Sequence, residues 1–136
     1  MMKVANRVLD TYSLIAYLEG ETGADKMVDV IKSARDSGRD LMLSVINWGE
    51  VYYITLREEG REKAEEVAHL ISSLPIRLID VDLDLVRQAA VYKATKKMSY
   101  ADCIAASLAK LRKAELITGD DDFRQLEGEI KILWID

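Results

Sequence analysis

A parallel β-sheet covered by helices on both faces, an α/β fold of three layers, is the architecture this sequence predicts. Short apolar segments of strand length alternate along it with longer stretches whose apolar residues recur at helical spacing. Each strand candidate is separated from the next by at least one such stretch or by a helical turn, and strands joined by crossovers of this kind run parallel. The 136 residues contain no repeat, low-complexity tract or linker, which fits one domain over residues 1–136.

The elements follow in order. Val4–Leu9 reads as the first strand, ended by Asp10-Thr11, and a short helix covers about Ser13–Leu18. The turn Gly20-Glu21-Thr22-Gly23 leads into an amphipathic helix, Ala24–Ser37, closed by Gly38. Leu41–Ser44 is a short apolar strand. Val45–Glu59 and Arg61–Ser73 are helices punctuated by Gly60, and Pro75 precedes the strand Ile76–Ile79. A helix over Leu85–Lys96 is followed by one opening at Ser99 and running through Lys113. Glu115–Thr118 is a strand, Asp122–Leu126 a helical turn and Lys131–Ile135 the last of five strands.

Composition narrows the function. Hydrophobic residues make up 49% and charged residues 32%, as in a globular protein. No apolar run approaches the ~20 residues of a membrane span. The start, Met1 to Arg7, lacks the apolar segment of a secretion signal, so a cytoplasmic protein with no membrane partner is expected. Cys103 is the only cysteine, which excludes an intrachain disulfide and a cysteine-rich zinc site. His69 is the only histidine, which excludes a His-rich metal centre; packed among Val67, Ala68, Leu70 and Ile71, it reads as structural. A net charge of −5 argues against coating nucleic acid by bulk attraction, but not against local binding through a bound cation.

Isolated acids are the informative feature. Asp10 is the only charge between Arg7 and Glu19, Glu50 the only one from Leu41 to Leu56, and Asp102 the only one from Met98 to Ala109. After Leu116-Ile117-Thr118-Gly119 come Asp120, Asp121 and Asp122. Asp10 and Asp120 follow strands and Asp102 lies in the first turn of a helix, at the edge where open α/β sheets bind ligands. Glu50 lies inside a helix, with Ile46 and Ile54 about 40° either side of it on one apolar stripe. A charge on such a stripe must be paired or coordinated. Two like charges ~4 Å apart repel by about 4 kcal/mol at an effective dielectric of about 20. A divalent cation would offset that repulsion, and an all-oxygen donor set without His or Cys suits Mg²⁺ or Mn²⁺. Such ions promote in-line attack on phosphodiesters.

Each acid also has a plainer reading. Asp10 could N-cap the helix after it, and Asp102 with Ser99 matches a capping box. Asp120 or Asp122 could cap the turn at Phe123, and Glu50 could pair with Arg57. Cys103, on an Ala-rich helix, reads as core. Trp48, Tyr52 and Tyr53 read as core or a dimer face, and Asp80, Asp82 and Asp84 as turn and cap residues. From spacing alone the joint pattern supports an acidic metal site.

Four segments resemble the successive motifs of PIN domains, and in particular the VapC-type toxins of prokaryotic toxin–antitoxin pairs. They are Val8-Leu9-Asp10-Thr11-Tyr12-Ser13, Ser44-Val45-Ile46-Asn47-Trp48-Gly49-Glu50-Val51, Ser99-Tyr100-Ala101-Asp102-Cys103-Ile104-Ala105-Ala106 and Leu116-Ile117-Thr118-Gly119-Asp120-Asp121-Asp122-Phe123. The resemblance covers nearly the whole chain. It implies a five-stranded PIN-like α/β/α fold, Mg²⁺- or Mn²⁺-dependent cleavage of single-stranded RNA, a homodimer and inhibition by a cognate antitoxin. It assigns Asp10 and Asp102 as principal metal ligands, Glu50 as the acid completing the site and Asp120 as the fourth, with Thr118 as a hydrogen-bonding partner, Ser99 in support and Asp122 as an alternate to Asp120. Arg7, Arg57, Lys96, Lys97 and Arg124 are candidate phosphate-binding bases by proximity. A PIN nuclease of RNA maturation or of structured DNA fits the same motifs. A phospho-receiver domain fits less well, because Asp10 is followed by Thr11 and Tyr12 where a second acid is expected, and no Lys follows Thr118-Gly119-Asp120. A PIN-like scaffold that only binds partners would not need all four acids.

Overall fold

A computed structural model describes residues 6–136. Its sheet has five parallel strands in the order β3-β2-β1-β4-β5: β1 (Arg7–Leu9), β2 (Leu41–Ser44), β3 (Ile76–Ile79), β4 (Glu115–Thr118) and β5 (Ile132–Trp134). The chain begins in the middle at β1, moves outward through β2 and β3, then returns to the other side of β1 for β4 and β5. The C-terminal ends of β1 and β4 therefore lie side by side where the winding direction reverses, the place where a parallel sheet leaves a crevice. Val4 and Ala5, expected to open the first strand, lie outside the described residues.

Among the described residues six α-helices make the crossovers and cover: α1 (Thr11–Glu19), α2 (Ala24–Ser37), α3 (Val45–Glu59), α4 (Arg61–Ser73), α5 (Leu83–Thr95) and α6 (Tyr100–Leu111); a 3₁₀ helix spans Asp121–Leu126. Alternation along the strands feeds both faces. Val8, Met42 and Leu116 pack with Leu85 and Ala89 of α5, Ile104 and Leu108 of α6, and Phe123. Leu9, Leu41, Leu43 and Ile117 pack with Leu14 of α1, Met27 and Val30 of α2, Val51 of α3 and Ile71 of α4. This is the expected three-layer arrangement.

Local chemistry places the boundaries. Gly20 and Gly38 end α1 and α2 in the left-handed conformation, with φ of 63° and 67°, where a Cβ would be strained. Helix α6 is buried on all sides from Cys103 to Ala109, because Ala105, Ala106 and Ala109 let its neighbours approach closely. It stops at Leu111, short of the expected Lys113, where the chain turns through a positive φ of 51°. The ends of α5 and β5 also differ from expectation by one or two residues, as fraying and capping commonly dictate.

Candidate active site and metal centre

Asp10 stands at the junction of β1 and α1 and is fully buried. Its Oδ1 accepts a hydrogen bond from the Ser13 amide at 2.8 Å, so it does cap α1. Its Oδ2 accepts from the Thr118 hydroxyl at 2.5 Å, across to the end of β4. The same Thr118 oxygen accepts from the Asp120 amide at 3.0 Å and so aims the loop that follows β4. Asp120 in turn caps the 3₁₀ helix, its Oδ1 accepting from the Asp122 amide at 2.9 Å. Capping and clustering are thus the same geometry here, not rival explanations.

Helix α6 delivers the next acid. Ser99 caps it, its hydroxyl oxygen accepting from the Asp102 amide at 3.2 Å, and holds Asp102 one turn in. Carboxylate oxygens of Asp102, Asp120 and Asp122 all lie within 4.8 Å of one another. Asp10 lies beside this group, close enough that its charge acts on Asp102 and that of Asp120 acts on it.

Electrostatics register the crowding. The Asp10 carboxyl is pushed up from 3.8 to about 6 by burial, helped by Asp120 and opposed by the bonds from Thr118 and Ser13. Asp102 is pushed up to about 7 by burial, then by the charges of Asp120, Asp10 and Glu50. Glu50 is therefore near enough to contribute, from the side of α3. Among the described residues, no lysine or arginine lies within ion-pair distance of Asp10, Glu50, Asp102, Asp120 or Asp122. Such a group of oxygens with no protein cation is chemically suited to a hard divalent ion.

Residues 7–129 match the PIN domain. The chain belongs to the PIN-domain family. Among curated proteins it is similar to the VapC ribonuclease of Mycobacterium bovis and to ribonuclease VapC42 of Mycobacterium tuberculosis, each 27% identical over 124 residues, 85% of this chain and 92% of the relative. Among solved structures it resembles VapBC2 of Rickettsia felis bound to a promoter DNA fragment, with a TM-score of 0.75, 14% identity and coverage of 93% of this chain and 96% of the other. It also resembles VapC20 of Mycobacterium tuberculosis, a Sarcin-Ricin loop cleaving toxin, with a TM-score of 0.72, 20% identity and coverage of 93% and 98%. A toxin–antitoxin complex from Klebsiella pneumoniae gives a TM-score of 0.73 at 19% identity over 96% and 98% of the two chains. At these identities the structures establish the shared fold.

Several residues of this PIN domain sit elsewhere than the sequence suggests. The apolar stripe assigned to Glu50 is not a buried one, since Ile46 is exposed and Ile54 and Glu50 are half-buried. The buried ridge of α3 is Asn47, Val51 and Thr55, and Glu50 makes no ion pair with Arg57, which lies over the Tyr53 ring. Among the proposed phosphate-binding bases, Arg7 is at the far end of β1, paired with Glu115 at 3.0 Å. Lys96 is paired with Glu129, and Arg124 with Asp121 while stacked on Trp134. His69 is exposed on α4 instead of packed. Cys103 is core, and Asp82 caps α5, as expected.

Beneath the site lies a polar network that the motifs alone do not reveal. Fully buried Asn47 donates to the Thr11 hydroxyl at 3.0 Å and to the Ala101 carbonyl at 3.3 Å, and accepts from the Ser44 hydroxyl at 2.6 Å. It ties together the ends of β1 and β2 and the first turn of α6, the elements that carry Asp10, Glu50 and Asp102. The signal was the Ser44-x-x-Asn47 cap spacing inside an otherwise apolar segment.

Proposed function

We propose that this PIN domain is a divalent-metal-dependent endoribonuclease that cleaves phosphodiester bonds of single-stranded RNA, and that it is the toxin of a type II toxin–antitoxin pair. The observation that carries this reading is the convergence of Asp102, Asp120 and Asp122 within 4.8 Å, beside buried Asp10, with no protein cation to balance them. Asp10 and Asp102 would be the principal ligands of the ion, with Asp120 as the fourth acid, Glu50 completing the site and Asp122 as the alternate to Asp120. The all-oxygen donor set favours Mg²⁺ or Mn²⁺. When bound, the ion would polarise the scissile phosphate and offset charge building on its oxygens. The chain's part is to keep the acids in place: Thr118 and Ser13 fix both oxygens of Asp10, and Ser99 fixes the turn of α6 that bears Asp102.

VapC ribonucleases among the relatives and toxin–antitoxin complexes among the structural neighbours support the RNA substrate and the antitoxin partner. Residues 1–136 would act as one nuclease domain. A homodimer is supported by apolar surface on α3, where Ile46 and Tyr53 are exposed. No helix of the described residues is long and apolar enough to cross a membrane, and the lone buried Cys103 suits the cytoplasm.

The test is incubation of the purified, antitoxin-free protein with labelled single-stranded RNA in Mn²⁺, in Mg²⁺ and in EDTA, beside Asp102→Asn. Cleavage that requires the ion and is lost in the variant is the expected result. Cleavage surviving both EDTA and Asp102→Asn would overturn the reading.

A further inference from the structure

Tyr12 stands two residues after Asp10, on the first turn of α1, and is 37% exposed although it adjoins the buried floor of the site. Its hydroxyl donates to Oδ2 of Asp136 at 2.6 Å, which tethers the far end of the ring. The ring itself lies against Gly119, the residue between Thr118 and Asp120. A Cβ at Gly119 would run into the Tyr12 ring and come within 2.8 Å of the Asp136 carboxyl. Gly119 does not adopt a left-handed conformation, so backbone freedom does not explain the glycine there; the close approach of the ring does. Tyr12 is therefore an exposed aromatic ring held at both its edge and its tip, seated on the backbone that leads to Asp120.

From this arrangement we infer that Tyr12 is a stacking platform for one base of a single-stranded RNA, next to the phosphodiester that the acidic group engages. The inference rests on the ribonuclease reading and assigns a substrate contact within it. Single-stranded RNA is recognised chiefly by stacking unpaired bases on aromatic faces, and a ring whose rotation is already arrested costs little further entropy on binding. The neighbourhood also favours a base over a phosphate: the Asp136 carboxylate at the tip of the ring offers a phosphate no cation and leaves a neutral base unopposed. Sequence tolerance follows, because every base has a face to stack.

The experiment measures binding of a short single-stranded RNA by fluorescence anisotropy, with Ca²⁺ in place of Mg²⁺ and RNA integrity checked on a gel. The wild-type protein is compared with Tyr12→Phe, which keeps the ring and loses the tether, and Tyr12→Leu, which loses the face. Each is tested on intact RNA and on a set of RNAs carrying one abasic position moved along the strand. Tyr12→Leu should bind intact RNA about 5-fold to 100-fold more weakly, as loss of one stacked base does, and Tyr12→Phe should stay close to wild type. At one abasic position wild type and Tyr12→Leu should bind equally. A loss in Tyr12→Leu that is the same on every RNA would make Tyr12 a packing residue and overturn the platform, as would no loss at all. Should Tyr12→Leu fail to fold, photocrosslinking of wild type to RNA containing 5-iodouridine decides, with the cross-link expected on the peptide containing Tyr12 and the platform overturned if it maps elsewhere. Wild-type protein that binds no single-stranded RNA would overturn the nuclease reading and the platform together. RNA binding and cleavage with an unaffected Tyr12→Leu would overturn the platform alone.

Discussion

Strand β4 has acids at both of its ends, and the two ends treat them differently. At its start, Glu115 is only 8% exposed, yet Arg7 reaches it at 3.0 Å and Lys131 at 3.8 Å. At its finish, Asp120 joins Asp10 and Asp102, and no basic side chain among the described residues pairs with any of them. The first end carries its own cations, so its carboxylate contributes to stability. The second leaves its carboxylates without a protein cation among the described residues. Paired acids at one end and unpaired acids at the other are the contrast expected between a structural ion pair and the proposed metal site; the sequence already hints at it, since Arg112 and Lys113 precede Glu115 whereas Asp120 is followed by two more acids.

Substitutions at the two ends should therefore have opposite signatures. Asp102→Asn should lower the RNA cleavage rate by about 10²–10⁴-fold, the range seen when a group central to transition-state stabilisation is lost. The same substitution should raise the melting temperature of the metal-free protein, because one of the repelling charges is gone. A fall in melting temperature would contradict the unpaired character of the cluster. At the other end, Glu115→Ala should destabilise the fold by about 1–3 kcal/mol, since it strands the Arg7 guanidinium, while leaving cleavage per folded molecule unchanged; chemical denaturation and an activity assay read the two effects separately.

The pH dependence sharpens the contrast. Burial, and then the neighbouring acids, push the Asp102 carboxyl up from 3.8 to about 7, so the folded state holds a proton that the unfolded state has released between those values. That favours folding at low pH and is lost as the pH rises through about 7; Asp10, at about 6, follows the same sign slightly lower. Without metal, wild type and Asp102→Asn should melt together near pH 4 and diverge toward pH 8, by about 2 kcal/mol in favour of the variant. Mn²⁺ or Mg²⁺ should reduce the divergence, because the ion stabilises the ionised form of the wild type.

The smallest effects belong to helix caps. Asp10 and Asp82 adopt almost the same conformation, φ/ψ of −99°/179° and −97°/179°, and cap α1 and α5 through bonds of 2.8 and 2.9 Å. Asp82 is exposed and its environment asks nothing else of it. Asp82→Ala should cost about 1 kcal/mol of stability and change neither metal binding nor cleavage, whereas the same change at Asp10 should abolish both.

Much of this was legible before the structure. The ranges of α2, α3, α4, β2, β3 and β4 follow from Gly38, Ser44, Gly60, Pro75 and Thr118, residues whose backbone or capping chemistry marks boundaries. The strand order was not legible from periodicity, because nothing local says that β4 returns beside β1. Helical spacing placed Glu50 with Ile46 and Ile54 correctly relative to one another, but not which side of α3 faces inward; that is decided by Asn47 and Thr55, two polar residues whose bonds to Ser44, Thr11 and Val51 make burial tolerable. Arg7 looked close to Asp10 in sequence, but three residues of extended strand span about 10 Å and put them at opposite ends of β1.

Titration of the metal-free protein with Mn²⁺ by calorimetry, beside Asp102→Asn and Glu115→Gln, tests the central claim most directly. Saturable binding in wild type and in Glu115→Gln, lost in Asp102→Asn, is the predicted result. No Mn²⁺ binding by folded wild type, or binding that Asp102→Asn leaves intact while Glu115→Gln removes it, would contradict the assignment of the unpaired end of β4 as the metal centre.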